Sequence, residues 1–203
     1  MHKKLMLACM AIAAFAAFVV APAASASPVL TDSGGTLPVG ASITGTTTGE
    51  AIFSGGFNVK CHGHLTGNVT ENSGTKIKGE VPAGKAIFTG TGAGGDCTSA
   101  LGDTAVTVTS ALCMETVKGT DTVAVTGCGA NITFDLNVTG ALTCKYSTAS
   151  VTGTFITGAD ATVNLNAQPA SEEEPRQFFC PDNGSLTMDF DLTTTDGTTI
   201  SVS

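Results

Sequence analysis

The sequence predicts an all-β fold: a disulfide-braced antiparallel β-sandwich of about ten to twelve strands, wired like a Greek key or jelly roll. Three observations predict it. Short runs rich in Thr, Val, Ile and Phe alternate apolar and polar residues, and no stretch has helical periodicity. Glycine-containing turn sequences fall where two of these runs double back. Six cysteines follow an export-type leader, an even number suited to three disulfides.

The alternation is clearest in three places. Phe57, Val59, Cys61, Leu65 and Val69 occupy odd positions, with Lys60, His62, His64, Thr66 and Asn68 between them. Ile132, Phe134, Leu136 and Val138 alternate with polar neighbours, as do Leu186, Met188, Phe190 and Leu192. One face of each strand is suited to a core and the other to water. If Val69 faces Ile77, the first hairpin closes around Asn72-Ser73-Gly74. If Leu192 faces Ile200, the last closes around Thr195-Asp196-Gly197. Both are three-residue loops with glycine where a left-handed residue is wanted. Ala51-Ile52-Phe53-Ser54-Gly55 and Ala86-Ile87-Phe88-Thr89-Gly90 echo one another. Gln168 to Gln177, with three glutamates between prolines, reads as an exposed loop.

Residues 1–26 read as a signal peptide: Lys3 and Lys4, an apolar run from Leu5 to Val20, then Ala24-Ser25-Ala26 before the expected cut. Cys9 precedes most of that run, which argues against lipidation. The expectation is therefore a secreted, extracellular protein with one domain over residues 27–203 and no integral membrane segment after processing. The 177 residues left carry seventeen acidic and seven basic side chains, a net charge of −10. With no basic cluster, nucleic-acid binding is excluded, since it depends on Lys and Arg neutralising phosphates. Pairing the cysteines with their sequence neighbours gives Cys61–Cys97, Cys113–Cys128 and Cys144–Cys180.

The chemistry is sparse. His62 and His64 fall on the polar face of one strand, two apart, so both imidazoles point the same way. Cys61 points to the other face and cannot join them. The expected hairpin register puts Thr66 opposite Glu80, so that Glu80 lies diagonal to His64. His62, His64 and Glu80 would form a His2-carboxylate set for zinc or another divalent metal. No other cofactor is expected. Asp189 and Asp191 share a face near Asp196, but no calcium-loop motif surrounds them. Gly90 to Gly95 lacks the GK[ST] ending of a phosphate loop. There is no Trp, and the single tyrosine, Tyr146, is in phase with inward residues, which leaves a sugar-binding face without its usual rings. Asn68, Asn131, Asn137 and Asn183 head N-x-[ST] sequons.

The pieces APAASASPVL, LPVGASITGT, CHGHLTG, GGDCTS, LTCKY and FFCP resemble uncharacterised secreted, cysteine-containing all-β proteins of high-GC Gram-positive bacteria. The resemblance runs along most of the mature chain. It implies export and a β fold, and brings no established activity with it. The sequence thus points to a non-catalytic binding or cell-envelope interaction module with a protein or envelope partner. One alternative is a metal-binding or metal-dependent protein using the His-x-His strand. Another is an extracytoplasmic carrier of a small apolar ligand held between the sheets.

Overall fold

A computed structural model describes residues 29–54, 57–116, 120–140, 142–156, 162–167, 170–171, 180 and 182–202. The leader and most of the loop from Gln168 to Gln177 lie outside these residues. The described chain is nearly all strand and entirely antiparallel in its pairing. It begins with β1 (Leu30–Asp32), β2 (Gly35–Thr36), β3 (Ser42–Thr47), β4 (Ala51–Ser54), β5 (Asn58–Ser73) and β6 (Lys76–Val81). There follow β7 (Ala86–Thr89), β8 (Cys97–Ser99), β9 (Gly102–Val108), β10 (Leu112–Thr116), β11 (Thr122–Gly127) and β12 (Ile132–Val138). The last are β13 (Leu142–Thr148), β14 (Val151–Ile156), β15 (Thr162–Ala167), β16 (Ala170–Ser171), β17 (Ser185–Thr194) and β18 (Ser201–Val202).

The long strand β5 organises the fold because its two halves have different neighbours. Its second half pairs β3 on one side and β6 on the other. From β6 the ladder continues through β10, β11, β14, β15 and β17 and returns to β3. Eight strands therefore close a ring, and their order around it is their order in the chain. The first half of β5 pairs β4 on one side, which itself pairs the start of β17, and β7 and β8 on the other, which lead outward through β9, β12, β13 and β16. Half of the molecule is thus a closed barrel and the other half opens into a sandwich-like pair of layers. The disulfide-braced antiparallel architecture agrees with expectation. The wiring is a meander with inserted hairpins, a pattern that alternation alone cannot distinguish from a Greek key.

Two apolar clusters fill the interior. Ile43, Val69, Ile77, Val123, Phe155, Val163 and Leu192 pack inside the barrel, and Leu30, Leu37, Ile200 and Val202 cover one end of it. The covering residues belong to, or flank, the small sheet β18-β1-β2. At the other end the core is richer in aromatics. Phe53 meets Phe88 edge-on at 5.6 Å and Phe134 at 5.4 Å, while Phe134 stacks on Tyr146 at 5.6 Å. The two echoing segments explain part of this: they become β4 and β7, which pair β5 from opposite sides and bring Phe53 and Phe88 together.

Apolar residues face inward around the ring. His64, Asn68, Thr70, Thr152, Thr154, Asp189 and Asp191 face outward and are exposed. A lipid-facing barrel has the reverse arrangement. No helix among the described residues is long and apolar enough to cross a membrane.

Three disulfides brace the fold: Cys61–Cys97, Cys113–Cys128 and Cys144–Cys180, with Cα separations of 4.9, 5.0 and 5.5 Å. Cys113–Cys128 spans 15 residues from β10 to the turn after β11, a loop whose closure is worth about 3 kcal/mol in the chain-entropy model.

The last hairpin has the expected register, since the Ile200 amide donates to the Leu192 carbonyl and Gly197 takes the left-handed conformation. The first hairpin does not. Ser73 pairs with Lys76 around a two-residue Gly74-Thr75 turn, and a bulge between Val69 and Glu71 shifts the ladder. Val69 consequently faces Gly79, and Asn68 faces Glu80. The extra residue of a bulge is invisible in a strictly alternating reading.

Candidate functional site

The displaced first turn decides the fate of the expected metal set. His64 is flanked by Thr46 on β3 and Ile87 on β7, and His62 by Thr89. Glu80 lies against Asn68, four residues further along β5, which at strand rise is about 13 Å from His64. The structure brings His62 and His64 together on one outer face and leaves Glu80 apart. Among the described residues no group of three His, Cys, Asp or Glu stands ready to hold a metal ion. Cys61 is buried on the opposite face and consumed by its disulfide.

The strand carrying the histidines is held closely from beneath. Gly63 donates its amide to the buried Thr47 hydroxyl at 3.0 Å. A Cβ at Gly63 would come within 2.9 Å of the Phe88 ring and 3.1 Å of the Phe190 ring. Glycine is required there by packing, and the close fit fixes where His62 and His64 emerge. On the same outer face, Lys60 forms an ion pair with Glu50 at 2.8 Å.

A second feature is a groove of about 550 Å³ on the outside of the barrel, across β6, β10 and β11. Register explains the hollow. Lys78, Glu115 and Ala124 lie in one cross-strand row, and the short Ala124 leaves space beside two long charged chains. Thr70 and Thr126 also line the groove. Beneath it the buried Thr116 hydroxyl accepts the Ile77 amide at 2.9 Å, pinning β10 to β6. Lys76 donates to Glu115 at 2.5 Å, and Lys78 reaches Glu71 at 3.3 Å and Glu115 at 4.0 Å. The hydrogen bond from Lys76 holds the Glu115 carboxyl below its ordinary range, and the same bond raises Lys76. These exposed pairs order the side chains of the groove more than they stabilise the fold.

Other features are structural. The Asp196 carboxylate accepts from the Thr194 hydroxyl and the Thr198 amide, so it belongs to the last turn and not to a site with Asp189 and Asp191. In the glycine-rich loop, Gly90, Gly92 and Gly95 donate their amides to carbonyls of the same loop, and the Ala93 amide donates to Asp103. Those amides are spent internally, which leaves no phosphate cradle. All four sequon asparagines are exposed. Among the described residues the interior holds a cavity of about 50 Å³, lined only by apolar side chains that include Phe53, Phe134, Met188 and Phe190. Sequence reasoning missed the groove, whose residues converge only through the ring closure, and it missed Thr47, which looks like any other strand threonine.

Compared with models of protein families, with curated proteins and with solved structures, the chain matches none.

Proposed function

We propose that this chain is an exported, non-catalytic binding module that engages a protein or cell-envelope partner through its outer surface. The contrast between interior and exterior carries the reading. Among the described residues the aromatic end of the core encloses a cavity of about 50 Å³, well below the roughly 150 Å³ at which an apolar cavity admits benzene. That size gives the apolar-carrier reading little support. The groove across β6, β10 and β11 is about tenfold larger and carries three charged side chains, Lys76, Lys78 and Glu115, held in position. Such a surface suits a partner that offers hydrogen bonds and charge, and the three disulfides keep it rigid outside the cell.

The test is retention of labelled protein on a cell-envelope fraction, comparing the natural chain with Lys76→Glu/Lys78→Glu. Saturable retention that falls at least about tenfold in the variant, roughly 1.4 kcal/mol of binding, supports the reading. Absent retention, or equal retention of a folded variant, contradicts it.

A further inference from the structure

The groove leaves the His-x-His strand unexplained, and the geometry points to a separate function for it: His62 and His64 form a surface site for a divalent transition-metal ion, completed by Glu50 and not by Glu80. This inference does not depend on the proposed partner surface. The two imidazoles project from the same face of β5, with Cβ atoms about 6.5–7 Å apart at strand spacing, close enough for both to reach one ion. Both are exposed, and neither is hydrogen-bonded or ion-paired among the described residues, so their ring nitrogens are available as ligands. Their anchorage is stiff, because Gly63 between them is fixed by the Thr47 hydroxyl and wedged against two phenylalanine rings.

Glu50 is the carboxylate that the chain brings to the His62 end of β4; the three side chains are not gathered as a cluster in the structure, and metal binding would draw them together. Ala51 pairs with Cys61 as the last rung between β4 and β5, and Glu50 precedes it in the link from β3, beside the position of His62 on β5. The ion pair at 2.8 Å between Glu50 and Lys60 puts that carboxylate on the histidine face. Metal binding exchanges the lysine for the ion: the Glu50–Lys60 contact opens, the carboxylate turns to the metal, and water fills the remaining positions. Two nitrogens and one oxygen with open positions suit copper(II), with zinc weaker in the usual order for such ligands.

The experiment is calorimetric titration of untagged protein with copper(II) alone and then with zinc(II) alone. One copper ion should bind per chain, more tightly than zinc. His62→Ala and His64→Ala should each weaken it by roughly tenfold or more, and Glu50→Gln by several-fold. Lys60→Gln should strengthen it by releasing Glu50, while Glu80→Gln should leave it unchanged. Thermal melts of each variant check that the fold persists. Binding that survives both histidine substitutions, or no one-to-one binding, would overturn the site. Equal affinity of Glu50→Gln, or a loss in Glu80→Gln, would overturn the assignment of its carboxylate.

Discussion

The Thr47 hydroxyl lies beneath β5 and accepts the Gly63 amide at 3.0 Å, joining β3 to the long strand that runs from the sandwich-like half into the barrel. Thr47 is itself buried, so no water can replace it. Thr47→Val keeps the shape and removes the acceptor. It should destabilise the protein by about 1–3 kcal/mol, the cost of a buried unsatisfied amide, with Thr47→Ser much closer to the natural chain. Urea unfolding measures the difference, and an unchanged midpoint for Thr47→Val would show that the bond contributes nothing.

Asn72 closes the barrel end. Its side-chain oxygen accepts the Leu30 amide, and its side-chain nitrogen donates to the Leu30 and Leu37 carbonyls, each at 2.9 Å. These bonds hold β1 over the apolar interior, where Leu30 is fully buried. Asn72→Ala should cost about 2–3 kcal/mol, from three bonds of ordinary net worth. Hydrogen exchange should accelerate in Leu30–Leu37 before the rest of the chain. Exchange that rises uniformly would mean that β1 is not tied down separately.

Tyr146 gives a pH test with a single reporter, because the chain has one tyrosine and no tryptophan. Burial at 3 % exposure pushes its phenol from 10.0 up to about 12. A raised folded-state value means the neutral ring is favoured by folding. That stability is complete below about pH 10 and is lost as pH rises towards about 12, on the order of 2 kcal/mol in all. Tyrosinate absorbance should appear near pH 10 in denaturant and about two units later in the folded protein. Coincident titrations would place the ring in water.

The strands of the core were readable because each has one wet and one dry face: β12 and β17 follow their alternation, and β5 does so up to the bulge at Thr70. Tyr146 lies inward, as its phase with Leu142 and Cys144 implies. Ring closure was not readable, since it depends on β6 finding β10 across the inserted β7–β9. The carboxylate of the metal set was misplaced for a local reason. The hairpin turns at Gly74-Thr75 and not at Asn72-Ser73-Gly74, which moves Glu80 three residues along β5 from Thr66, and the bulged residue Thr70 returns it by one, to Asn68. The proposed partner of His62, Glu50, comes into view only when β4 is seen to flank β5, a long-range pairing with no signature in the motif itself.

The central claim is that binding occurs on the outer groove and not within the core. Lysine acylation read by mass spectrometry, with and without a cell-envelope fraction, tests it most directly. Lys76 and Lys78 line the groove, while Lys60, Lys85 and Lys145 are exposed elsewhere. Protection of Lys76 and Lys78, with the other three labelled as before, is the predicted result. Equal labelling of all five in the bound state, or protection centred on Lys60 or Lys145, would contradict it.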